Sequence, residues 1–149
     1  MTESELISKL NAMIRLDNDA LSSYNRVLDN ISDQVIKTEI TRYRDDHLRH
    51  VDNLTALVVK YGGVPATDEK DIRGLFLGSA TAIENIAGLQ GSLMALQTGE
   101  KITNKDYSDA ISWEVPEDVL LVLKENFEDE KRHLRFINQA INDKVWERR

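Results

Sequence analysis

Hydrophobic positions in this chain recur at alternating steps of three and four, the spacing that lines up one face of a helix with 3.6 residues per turn. The first stripe runs through Leu6, Leu10, Met13, Asp17, Ala20, Tyr24, Val27 and Ile31 and opens with the capping-box pattern Thr2-Glu3-Ser4-Glu5. A break near Asn30-Ile31-Ser32-Asp33 ends it. The second stripe carries Ile36, Ile40, Tyr43, His47, His50, Leu54, Leu57 and Tyr61, and Gly62-Gly63 followed by Pro65 supplies the stop. The third carries Leu93, Leu96, Glu100, Thr103, Tyr107 and Ala110, and Trp113-Glu114-Val115-Pro116 turns the chain into the fourth. That one shows Val119, Leu123, Asn126, Glu130, His133, Ile137 and Ala140 and closes on a basic tail, Lys144, Arg148 and Arg149, suited to the negative end of a helix dipole. From Thr67 to about Gly91 the pattern is less regular, with Gly74, Gly78, Gly88 and Gly91 interrupting what reads as one short helix in a long crossover. The pattern predicts an all-α four-helix bundle, residues 1–149 as a single domain, made of two helical hairpins joined by that crossover. Helices of about 30 residues would reach about 45 Å.

The two hairpins are copies of one design. At an offset of 83 residues, Leu6, Leu10 and Met13 fall on Leu89, Leu93 and Leu96, Asp17 on Glu100, Tyr24 on Tyr107 and Val27 on Ala110. In the second helix of each pair, Ile36, Ile40, His47, His50 and Leu54 fall on Val119, Leu123, Glu130, His133 and Ile137. The run Asp45-Asp46-His47-Leu48-Arg49-His50-Val51 aligns without gaps on Glu128-Asp129-Glu130-Lys131-Arg132-His133-Leu134.

Asp17, His47, His50, Glu100, Glu130 and His133 all occupy stripe positions where an apolar residue is expected, and they include every histidine of the chain. The turn of each hairpin brings its groups to a similar level, so the six would meet near mid-bundle. Burying ionisable groups costs several kcal/mol each unless they are paired or hold a metal. A divalent metal pair offsets that cost. Carboxylate oxygens with imidazole nitrogens suit iron, manganese or zinc, and an acid and a histidine at i and i+3 point the same way off one helix. A carboxylate from each of two helices plus Glu-x-x-His from the other two is the arrangement of a carboxylate-bridged dimetal centre.

Composition narrows the partners. With 19 Lys and Arg against 26 Asp and Glu, the net charge of −7 argues against nucleic acid. Zero cysteines exclude disulfides, zinc fingers, thiolate iron–sulfur sites and a Cys nucleophile, so a metal must be held by His, Asp and Glu. The amino terminus lacks the pattern of a secretory signal, which makes the cytoplasm the default address. The stretch from Gly74 to Leu96, interrupted by Glu84, Asn85 and Gln90, is a poor membrane span, and no membrane partner is expected. The glycine-punctuated segment from Gly74 to Gly91 is also a candidate cover for a homodimer surface.

On these residues the chain resembles the ferritin-like superfamily, the four-helix carboxylate proteins that include bacterioferritins, rubrerythrins and di-iron oxygenases. The resemblance covers essentially the whole chain and rests on Leu10-Asn11 through Asp17 to Tyr24, Glu100 to Tyr107, and Glu130-Lys131-Arg132-His133. More narrowly, Asp45-Asp46-His47-Leu48-Arg49-His50-Val51 and Tyr61-Gly62-Gly63-Val64-Pro65 are similar to a bacterial ferritin-like family of uncharacterised function. The resemblance implies Asp17 and Glu100 as terminal ligands, His50 and His133 as imidazole ligands and Glu130 as a bridging carboxylate. His47 departs from the pattern, which normally has a second bridging Glu there, and neutral imidazole has one lone pair to give. An asymmetric site, one tight and one loose metal, a preference for zinc over iron, and a drift away from oxygen chemistry all stay open. Asp17 in place of Glu also shortens one terminal ligand by a methylene.

Around these ligands, Tyr24 and Tyr107 lie seven residues past their acids, and Asn126 one turn before Glu130. The tyrosines read as core aromatics with satisfied hydroxyls, or as hydrogen-bond or electron donors to the centre; Asn126 is a candidate partner of a ligand. Asp46 and Asp129 read as solvated or as orienting a ligand, and Arg49 and Arg132 as solvated or paired with neighbouring acids. Catalytic residues proper are not defined. Two functions fit. One is an oxidoreductase-like or ferroxidase-like di-iron centre that reacts with dioxygen or peroxide in iron handling or stress protection. The other is a non-catalytic bundle in which a structural metal such as zinc staples the helices and the outer surface recruits a partner.

Overall fold

The computed structural model describes residues 1–67 and 88–148. Within them, α1 spans Glu3–Leu28, α2 Gln34–Lys60, α3 Gly88–Ala110 and α4 Glu117–Asn142. The architecture is the expected bundle, with α1 and α2 forming one hairpin, α3 and α4 the other, and the hairpins meeting as α1 against α3 and α2 against α4. At 23 to 27 residues the helices are shorter than the stripes suggested, about 35–40 Å at 1.5 Å per residue. The predicted crossover helix falls mainly outside the described residues.

Local chemistry explains where each helix begins and ends. Thr2 and Glu5 form a reciprocal capping box, Glu5 N–H donating to Thr2 Oγ1 at 3.1 Å and Thr2 N–H to Glu5 Oε2 at 3.4 Å. Asp33 caps α2 by accepting from the N–H groups of Val35 and Ile36 at 3.0 and 3.1 Å. Ile31, counted at the end of the first stripe, lies past the helix but is buried in the same core.

At the end of α2, Gly62 adopts φ +87°. The N–H groups of Gly62 and Gly63 bond back to the carbonyls of Val59 and Val58 at 3.0 and 2.9 Å, the pairing that closes a helix on a left-handed residue. Gly63 is needed for a different reason, since a Cβ there would stand 2.6 Å from Ile7 Cγ2. The chain therefore leaves α2 pressed against α1, where the Asn11 amide donates to Val64 O and accepts from Ala66 N–H. Asp118, in the first turn of α4, accepts from Lys60 Nζ at 2.5 Å and Tyr61 Oη at 2.7 Å and ties that helix to the end of α2.

The basic tail does not extend α4. Lys144 turns left-handed at φ +47° and a 3₁₀ turn over Val145–Glu147 follows, burying Val145 in the core. Burial of an apolar side chain there overrides the dipole interaction expected of a helical tail, which is worth only about 0.3–1 kcal/mol. No helix among the described residues is long and apolar enough to cross a membrane.

The core has two apolar parts. One holds Val27, Ile40, Leu93, Leu96 and Ile137, the other Leu10, Ile14, Leu54, Val119 and Leu123. Tyr24 belongs to the first and Tyr107 to the second, and their hydroxyls point at the polar layer.

Candidate metal centre

Asp17 of α1, His47 and His50 of α2, Glu100 of α3 and Glu130 and His133 of α4 meet in that layer, and all six are fully buried at 0% exposure. Among the described residues there are two groups of four potential ligand atoms, the atoms of each group all within 4.8 Å of one another. The first contains Asp17, His47, His50 and Glu130, the second His47, Glu100, Glu130 and His133. His47 and Glu130 belong to both.

In the first group, Asp17 Oδ1 lies 2.7 Å from His47 Nδ1 and 3.1 Å from His50 Nδ1, and Glu130 Oε1 lies 3.4 and 3.3 Å from the same two nitrogens. In the second, Glu100 Oε1 lies 3.1 Å from His47 Nε2 and 3.4 Å from His133 Nδ1, which is also 3.4 Å from Glu130 Oε2. Four ligands at about 2.0–2.1 Å from a tetrahedral ion stand about 3.3 Å apart, a spacing that all of these distances except the 2.7 Å Asp17–His47 contact match. Glu130 Oε1 and His133 Nδ1 are buried without a hydrogen-bond partner. The oxygen faces the first group and the nitrogen the second, and a buried polar atom left open among potential ligands fits a metal as the missing partner.

Each hairpin supports the ligands of the other. Asp46 on α2 accepts from His133 Nε2 at 2.8 Å, and Asp129 on α4 accepts from His50 Nε2 at 2.8 Å. These bonds turn both Nδ1 atoms inward. Arg49 pairs with Asp46 and Asp129, and Arg132 pairs with the same two acids, forming a four-charge clasp outside the histidines. The tyrosines follow the same cross pattern: Tyr24 on α1 donates to Glu100 Oε1 and Tyr107 on α3 donates to Asp17 Oδ2, both at 2.5 Å.

Of the alternatives open for these residues, the structure selects hydroxyl donors to carboxylates for Tyr24 and Tyr107, histidine partners for Asp46 and Asp129, and acid pairs for Arg49 and Arg132. The Asn126 amide donates to Tyr107 Oη at 3.2 Å, the hydroxyl that in turn donates to Asp17. Sequence reasoning passed over Thr103, whose hydroxyl reaches Glu100 Oε2 at 3.1 Å and Glu130 Oε2 at 3.2 Å. It also passed over Tyr43, whose ring stacks on His133 with centroids 4.4 Å apart. Both lie on the inner stripes, which was the available signal.

The electrostatics of the ion-free cluster follow from its crowding. Burial works to lower the pKa of each histidine, but the carboxylates outweigh it. Glu130, Asp17 and Glu100 raise His47 to about 9, and Asp17, Asp129 and Glu130 raise His50 to about 12. His133 is held well above its usual value, by Glu100 first. Burial likewise tends to raise Asp17, yet His50 and His47 bring it down to about 2, and Glu100 is held well below its usual range by His133 and His47. Without an ion, protons on imidazoles supply the compensating positive charge.

The four helices have the ferritin-like fold. The chain's backbone superposes on a crystal structure described as ferritin like, diiron-carboxylate proteins from Bacillus anthracis str. Ames with a TM-score of 0.72. That match covers 95% of this chain and 99% of the other at 21% identity, a likeness of fold. Residues 5–112 match the family described as Domain of unknown function (DUF2383), and the chain belongs to that family. No curated protein matches the sequence.

Proposed function

We propose that this protein is a metal-binding ferritin-like protein of the dimetal type, with Asp17, His47, His50, Glu100, Glu130 and His133 as its ligand set and iron as its metal, used in iron handling or in chemistry with dioxygen or peroxide. The observation that carries this reading is the pair of four-ligand groups, fully buried and sharing His47 and Glu130. The B. anthracis protein, described as diiron-carboxylate, supports the choice of iron.

Iron bound there would supply one-electron redox chemistry toward an oxygen species. The chain's own residues do the rest. Asp46 and Asp129 hold the two outer imidazoles by Nε2–H so that Nδ1 is presented inward. Tyr24, Tyr107 and Thr103 hold the carboxylates in place by hydroxyl bonds. The apolar residues on either side keep bulk water from competing for the ligands. Anaerobic loading with Fe(II) followed by oxygen tests the proposal: a ferric absorption band and oxidation faster than in buffer are expected, and the absence of both removes the redox function.

A second reading is favoured by the ligand spacing, which matches a tetrahedral ion, and by the imidazole in place of a carboxylate. In it, zinc staples the bundle as an interaction module. Protein purified without added metal would then carry zinc, and chelation would lower Tm; an unchanged Tm on chelation excludes it.

A further inference from the structure

His47 is where the two halves of the centre stop matching. Its Nδ1 faces Asp17 at 2.7 Å and Glu130 Oε1 at 3.4 Å, while its Nε2 faces Glu100 at 3.1 Å. Each four-ligand group therefore uses a different nitrogen of the same ring. Glu130 can serve both groups, because Oε1 lies in one and Oε2 borders the other. His47 cannot do so as a neutral imidazole, which has one N–H and one lone pair.

We infer that the centre takes one divalent ion per chain at a time, and that His47 sets this number. The inference rests on the metal-binding reading above and revises its number of ions: the six ligands of the dimetal arrangement form two overlapping nests, and one of them is filled at a time. When Nδ1 gives its lone pair to an ion beside Asp17 and His50, Nε2 carries the hydrogen and donates it to Glu100. When Nε2 binds beside Glu100 and His133, Nδ1–H donates to Asp17. Either way the second nest loses a ligand, and its carboxylate is already satisfied without a metal. Glu100 accepts from Tyr24 at 2.5 Å and Thr103 at 3.1 Å, and Asp17 accepts from Tyr107 at 2.5 Å.

Charge points the same way. The pocket holds three carboxylates at 0% exposure, so two divalent ions would leave one positive charge uncompensated in a buried site. The outer acids Asp46 and Asp129 do not help, because Arg49 and Arg132 neutralise them. A glutamate in place of His47 would supply both the missing charge and a group able to bridge.

The test is a titration of the ion-free full chain with Zn(II) and with Co(II), followed by calorimetry, elemental analysis and the Co(II) d–d absorption. One equivalent per chain is expected, with any second equivalent at least 100-fold weaker. His47→Glu is expected to take two equivalents and His47→Gln one. Two ions of comparable affinity on the natural chain overturn the inference, as does a His47→Glu variant that folds and still binds one. If His47→Glu does not fold, the stoichiometry of the natural chain decides alone. A natural chain that binds neither metal overturns the metal-centre reading itself, an outcome distinct from the wrong number of ions.

Discussion

The first and second hairpins share a backbone plan and the type of most inner residues, yet they bring different chemistry to the polar layer. Both contribute a carboxylate with a tyrosine seven residues later, and both contribute a histidine held by an aspartate of the other hairpin. They part in kind at His47 against Glu130, Ala20 against Thr103 and Tyr43 against Asn126, and in length at Asp17 against Glu100. The second hairpin supplies the carboxylate that reaches both nests and a hydroxyl within hydrogen-bond reach of both Glu100 and Glu130. The first supplies an imidazole and a stacked ring. A repeat can thus conserve the supports of a site while its centre diverges, because the supports need only one bond each and the central group must satisfy two sides at once.

The strongest way to break the comparison is to remove the carboxylate that both nests use. Glu130→Ala should abolish tight metal binding in either nest and, by leaving buried histidines short of a counter-charge, cost about 3–5 kcal/mol of stability. Metal titration and chemical denaturation would check it. Retained tight binding would show that the nests are independent.

A pH series sharpens the role of His47. In the ion-free protein its pKa is raised from 6.5 to about 9, so the stability it contributes is fully present below 6.5 and is lost as pH rises through about 9. An ion must displace that proton. Metal affinity should therefore climb between about pH 6.5 and 9, by about tenfold per unit for each proton released, with the protons visible as a buffer-dependent heat in calorimetry. A flat profile would mean that no raised histidine binds the ion.

The outer supports are matched, so Asp46→Asn and Asp129→Asn should each weaken metal binding by about 10–100-fold. If the ion sits in one nest, the variant whose histidine lines it should show the larger loss. Of similar size are Tyr24→Phe and Tyr107→Phe, each of which removes a hydrogen bond to a buried carboxylate and should cost about 1.5–3 kcal/mol in the ion-free protein. Thermal unfolding of the pair would compare the two floors of the layer. Thr103→Ala, which makes the second hairpin resemble the first at this position, should cost about 1 kcal/mol.

Much of this was legible along the chain because helical periodicity and burial are local properties. The stripes located four helices, and the mismatch between apolar stripes and ionisable residues marked the polar layer. Thr2, Asp33 and Gly62-Gly63 marked helix ends through bonds made within a few residues. The tail misled, because its basic residues suit a helix end in isolation while Val145 has a core to enter.

The sequence by itself determined which residues would be inside and that they came in two matched sets, since a repeat of 83 residues and a period of 3.6 need no knowledge of packing. Only the tertiary structure decided who touches whom. Asp46 lies four residues from His50 but bonds His133, and Asp129 lies four from His133 but bonds His50. Tyr24 likewise reaches past its own helix to Glu100. These choices depend on the distance between hairpins, which sequence spacing does not encode. The same holds for His47, whose two nitrogens acquire opposite neighbours only when Asp17 and Glu100 close on it from different helices.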